Sequence, residues 1–135
     1  MPIIFTRLFV SFLSFFMKLR LYPLKLYFFS LPITIMTILS LLLNLFSWFW
    51  LKSQLPNTSE LFLHYNVLFG VDYIGDSWKI FFVPLIGLII LSVNFFMGWL
   101  LYKKDKFMAY ILNFVSVLCQ IFLFMVSFLL VFLNV

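Results

Sequence analysis

The titratable side chains that could act together lie between positions 60 and 76, where Glu60, His64, Asp72 and Asp76 fall in the run SELFLHYNVLFGVDYIGDSWK. An imidazole with nearby carboxylates is the smallest set that could hold a metal or perform acid–base chemistry, which makes His64, Asp72 and Asp76 the candidate ligands. The pattern argues against that chemistry. No HExxH motif and no second histidine accompany His64, and Cys119, the single cysteine, sits in an apolar run. Neither a zinc knuckle, a CxxC redox pair nor an intramolecular disulfide can be built from this set. One histidine among scattered carboxylates is more often a structural or surface group. His64, Asn66, Gly70, Asp72 and Gly75 are therefore expected to shape the segment, with no catalytic residue, metal or cofactor assigned.

Positions 61, 63, 65, 67, 69, 71 and 73 are all apolar, a period of two, while Glu60, His64, Asn66, Gly70 and Asp72 occupy even positions interrupted by Phe62 and Leu68. This predicts an extended segment lying aromatic side down on the membrane or the helix ends, with a short amphipathic helix as the alternative. Gly75-Asp76-Ser77 reads as a turn, with Asp76 or Ser77 capping the next helix.

The elements that hold this segment are set by composition. The chain is 66% hydrophobic and 10% charged, with 21 Phe and one alanine, Ala109; soluble domains run nearer ~45–50% apolar and ~25% charged. A water-soluble globular fold is excluded. Uncharged stretches at 28–51, 80–102 and 107–133 are long enough to cross a hydrocarbon core of ~30 Å as helices. Pro32 and Pro84 fall in the first turns of their stretches, where a missing N–H costs least. The expected fold is an all-α integral membrane protein with three transmembrane helices, a 53–79 extracytoplasmic loop and an N-terminal amphipathic helix.

The net charge of +5 reads as orientation rather than nucleic-acid binding. Arg7, Lys18, Arg20, Lys25, Lys103, Lys104 and Lys106 lie on one side of the three-span scheme, and Lys52 and Lys79 on the other. The positive-inside rule then places the N-terminus in the cytoplasm and the C-terminus outside. Trp48, Trp50, Tyr73 and Trp78 would ring the outer interface, and Tyr22, Tyr27, Trp99, Tyr102 and Tyr110 the inner one. Residues 1–27 are read as an interfacial helix, because Arg7, Ser11, Ser14 and Lys18 form one polar stripe on a Phe/Leu surface. A buried half-helix or a signal peptide are the alternatives.

No Asp, Glu, Lys, Arg or His falls inside the spans, which counts against proton relays and ion pathways. Uncharged polar and small residues instead recur every three or four positions: Thr34, Thr37, Ser40, Asn44 and Ser47; Gly87, Asn94 and Gly98; Asn113, Ser116, Gln120 and Ser127. Such stripes face other helices. The short Lys103–Lys106 turn makes the second and third spans an antiparallel hairpin, so residues whose numbers sum to about 207 share a depth. That pairs Gly98 with Ala109, Asn94 with Asn113, Leu91 with Ser116 and Gly87 with Gln120, with Asn44 the expected third-helix partner of Gln120.

His64-Tyr65-Asn66, then Gly70-Val71-Asp72 and Gly75, resembles the H-[FY]-N…G…D…G loop of small uncharacterised membrane proteins of AT-rich candidate-phylum bacteria, from about Glu60 through the two C-terminal helices. More distantly it is similar to the outer loop of the SdpI-type toxin-immunity family, where the match covers little more than the loop, the Asn66–Gly70 spacing is one residue longer and further helices have no counterpart. The resemblance implies a bacterial inner membrane and supplies no active site. The functional expectation is a non-catalytic accessory or interaction subunit, or an immunity-like protein, whose partners are the lipid bilayer and a homo-oligomer or larger membrane complex, with no nucleic acid. The alternatives are a homo-oligomeric transporter or channel protomer lined by the Asn/Ser/Gln stripes, and a metal-dependent enzyme using His64 and Asp72.

Overall fold

The computed structural model describes residues 23–66, 68 and 70–135, with the side chains of Tyr65, Asn66, Val71 and Asp72 left out. Apart from residues 23–27, the expected interfacial helix lies outside the described residues. A five-residue helix α1 (Leu24–Phe28) leads to α2 (Leu31–Gln54). Between them the chain turns at Ser30, whose N–H and hydroxyl both donate to Tyr27 O, at 3.1 and 2.8 Å. Pro32 lies in the first turn of α2 and Lys52 in the last, where a cation meets the unpaired carbonyl end. Helix α2 thus starts and ends three residues later than the uncharged stretch 28–51, because the Ser30 break resets its start.

The segment after α2 is a β-hairpin, β1 (Glu60–Asn66) antiparallel to β2 (Gly70–Asp76). It is extended, as the period of two predicts, but the pairing of its two halves is not encoded in that period. The turn lies between Asn66 and Gly70, and the expected turn at Gly75-Asp76-Ser77 is corrected: Gly75 and Asp76 belong to β2. A 3₁₀ turn (Ser77–Phe81) then feeds α3 (Phe82–Tyr102).

Helices α3 and α4 (Lys106–Asn134) are joined by a tight turn in which the N–H groups of Lys104 and Asp105 both donate to Leu101 O at 2.8 Å. Asp105 caps α4, its carboxylate accepting from Phe107 N and Met108 N; such a cap is worth ~1 kcal/mol.

The three long helices, of 24, 21 and 29 residues, are each apolar enough to span a bilayer, and the chain is an integral membrane protein. Helix α4 packs extensively on both α2 and α3, which meet each other less. The burial is inverted relative to a soluble bundle. Ser40, Asn44, Ser47, Asn113, Ser116, Gln120 and Ser127 are buried, while Phe49, Phe122, Leu129 and Phe132 are among the large apolar side chains that face outward. Hydrocarbon is the solvent for the outer surface, so association rests on close approach and interhelical hydrogen bonds.

Candidate functional site

The polar residues of the seam arise from helix periodicity and meet in two layers. Near the Lys103–Asp105 turn, Tyr27 is fully buried and its hydroxyl accepts from Asn113 Nδ2 at 2.9 Å and donates to Phe95 O at 3.2 Å. Asn113 Nδ2 also donates to Ala109 O at 2.8 Å, and Asn113 Oδ1 accepts from Thr37 Oγ1 at 3.5 Å. Gly98 makes this layer possible: a Cβ there would lie 2.5 Å from the Tyr27 hydroxyl and 3.0 Å from Asn113 Nδ2. Two turns further along, Asn44 Nδ2 donates to Pro84 O at 2.8 Å and to Gln120 Oε1 at 3.2 Å, while Gln120 Nε2 donates to Gly87 O at 2.7 Å. A Cβ on Gly87 would come within 2.8 Å of both carboxamides. Between the layers Ser116 bonds back to Leu112 O, whereas the buried Ser40 Oγ has no partner among the described residues.

Thr37 to Asn113 and Asn44 to Gln120 are both separated by 76 residues. Helices α2 and α4 therefore run parallel in constant register, and Ile33, Thr37, Ser40, Asn44, Ser47 and Leu51 recur at alternating spacings of four and three, the heptad seam of a left-handed pair.

Two expectations need correction. Asn94 and Asn113 do not bond: Asn113 is held by Tyr27, Ala109 and Thr37, and Asn94 is half-buried with no side-chain hydrogen bond among the described residues. Tyr27 occupies the place that depth alone gives to Asn94. Tyr27 is correspondingly no member of an interfacial aromatic ring. Phe95 packs its ring 5.1 Å from that of Tyr27.

The hairpin sets His64 and Asp76 at different levels of its ladder. Glu60 pairs with Asp76 at its open end and His64 with Tyr73. Four residues of strand, roughly 13 Å, thus separate the levels of His64 and Asp76. Asp72 lies in β2 beside this level of the ladder. Among the described residues no group of three or more His, Cys, Asp or Glu side chains converges. Asp76 caps nothing with its side chain, contrary to the expected capping role; its carboxylate lies 3.0 Å from Lys79 Nζ, and that hydrogen bond holds its pKa below the usual carboxylate value. Helix α3 likewise starts without a side-chain cap.

Alternate residues of β1 anchor the hairpin. Leu61 is buried against Leu51, Ile80 and Val131, and Leu63 packs beside it. Gly75 lies under Leu63, whose Cδ1 would stand 2.8 Å from an added Cβ. Asn134, which carries no signal in the sequence beyond its polarity, clamps the strand: its Oδ1 accepts from Phe62 N at 2.8 Å and its Nδ2 donates to Phe62 O at 2.9 Å. The carboxamide so completes the strand edge as another peptide would. Beside this contact an open groove of about 630 Å³ is lined by Leu63, His64, Val126, Leu129, Leu130, Phe132 and Leu133. His64 is thus one wall of a mostly apolar groove.

No protein-family model, curated protein or solved structure matches the chain. The seam fixes the register of the helices, and the Asn134 clamp holds β1 on the end of α4.

Proposed function

We propose that the chain is a non-catalytic interaction subunit of a membrane complex, or an immunity-like protein that binds another membrane component, in a bacterial inner membrane with its N-terminus cytoplasmic and its C-terminus outside. The observation that carries this reading is that Tyr27, Asn44, Asn113 and Gln120 bond one another and backbone carbonyls inside the bundle. Polar groups so engaged hold helices together and are not free to line a path for solute. The hairpin, its first strand clamped by Asn134, lies at one end of the bundle, where a partner could reach it.

Native mass spectrometry from mild detergent tests this directly. A hetero-complex of defined stoichiometry is expected; a closed homo-oligomer would favour the channel reading and stoichiometric zinc the enzyme reading. For orientation, a reporter active only outside the cytoplasm should be on when fused after Val135 and off when inserted at Lys104. The reverse pattern would overturn the assignment of sides.

A further inference from the structure

We propose that the bundle end bearing Lys25 binds an anionic phospholipid, with one acyl chain in a groove between α1 and α3 and the phosphate on the Lys25 ammonium. The groove, about 400 Å³ and open, is lined by Leu24, Lys25, Phe28, Phe29 and Phe95. Its walls are a fixed aromatic set: Phe28 stands edge-on to Phe29 at 5.8 Å and to Phe95 at 6.1 Å between ring centroids. Phe95 is in turn braced by Tyr27. Among the described residues lysine supplies the only charge in this lining, so a hydrocarbon chain along the rings and an anion at the mouth satisfy both parts of the surface at once.

The same end of the bundle carries three further lysines. Tyr27 meets Tyr102 edge-on at 5.1 Å, and Lys106 Nζ lies 5.7 Å from the centre of the Tyr102 ring. Lys103 and Lys104 occupy the adjoining turn. Against these four lysines the one carboxylate described at this end, Asp105, is engaged with the N–H groups of Phe107 and Met108. A zwitterionic headgroup would bring a further ammonium into this positive field, and an anionic one would not.

The test is native mass spectrometry of the full chain from micelles holding equal amounts of phosphatidylglycerol and phosphatidylcholine with identical acyl chains. One lysine at a membrane surface is worth about a fivefold preference. The wild type should retain phosphatidylglycerol over phosphatidylcholine by at least that ratio, Lys25→Gln should lower the ratio by about fivefold, and Lys52→Gln, at the opposite end of α2, should leave it unchanged. Millimolar glycerol phosphate should not displace the lipid, since it lacks the chain that fills the groove. Equal retention of both lipids by the wild type, an unaltered ratio in Lys25→Gln, an equal loss in Lys52→Gln, or displacement by glycerol phosphate would each overturn the proposal.

Discussion

Asn44 and Gln120 stand 76 residues apart in the chain, and their carboxamides meet at 3.2 Å in the middle of the bundle, each also bonded to a carbonyl of α3. Three helices are thereby locked at one level by two side chains. Any slip of α2 along α4 would break this contact and the Thr37–Asn113 contact together, because both share the same offset.

Coupling between the two carboxamides should be measurable. In a double-mutant cycle of Asn44→Ala and Gln120→Ala, unfolding in bicelles should give an interaction energy of ~0.6–1.7 kcal/mol, the range of interhelical hydrogen bonds in membranes. A coupling indistinguishable from zero would mean that the two residues hold α3 independently.

Gly98 should tolerate even one methyl poorly. Gly98→Ala places a Cβ 2.5 Å from the Tyr27 hydroxyl, and overpacking of this kind costs about 1–3 kcal/mol. Asn94→Leu, which removes no hydrogen bond among the described residues, should be mild. Thermal unfolding that ranks Asn94→Leu as the worse variant would contradict the placement of Tyr27 against Gly98.

The clamp on the hairpin is open to hydrogen exchange. Asn134→Ala removes both contacts to Phe62, and loss of hydrogen bonds worth ~0.5–1.5 kcal/mol each should raise exchange at the Phe62 amide by about tenfold or more. Amides of the α4 interior should be unaffected. Unchanged exchange at Phe62 would show that Leu61 and Leu63 hold the strand without help.

At Gly70 the obstacle to substitution is conformational, because nothing lies within 4 Å of an added Cβ while φ is +77°. Gly70→Ala should therefore destabilise the hairpin by ~1–2 kcal/mol, the left-handed penalty of an L-residue, read as faster exchange in β1 and β2.

Acid should loosen the open end of the hairpin. The hydrogen bond from Lys79 lowers the pKa of the exposed Asp76, so its contribution to stability is complete above the usual carboxylate pKa and is lost as pH falls through the lowered value. Exchange near Ser77 should rise below about pH 4, and Asp76→Asn should abolish that dependence. Because Glu60 faces Asp76 across the ladder, Glu60→Gln should leave the hairpin equally or more stable at neutral pH, as like charges opposite one another repel.

Local pattern determined the spans and the polar stripes, because an apolar run needs lipid and a helical residue has a face set by its spacing. The short Lys103–Lys106 turn also determined depth, which is why the numbers of Gly87 and Gln120, and of Gly98 and Ala109, sum to 207 at positions the fold brings together. Depth is not azimuth. Which side chain fills a level depends on how three helices rotate against one another, and that packing set Tyr27 into the space beside Asn113 and left Asn94 at the edge. Strand pairing was likewise beyond the alternation of Leu61 to Tyr73, since a period of two gives a face and no partner. The Asn134 clamp lay further still from local reading, because it joins residues 72 apart through contacts that exist only once the hairpin rests on the end of α4.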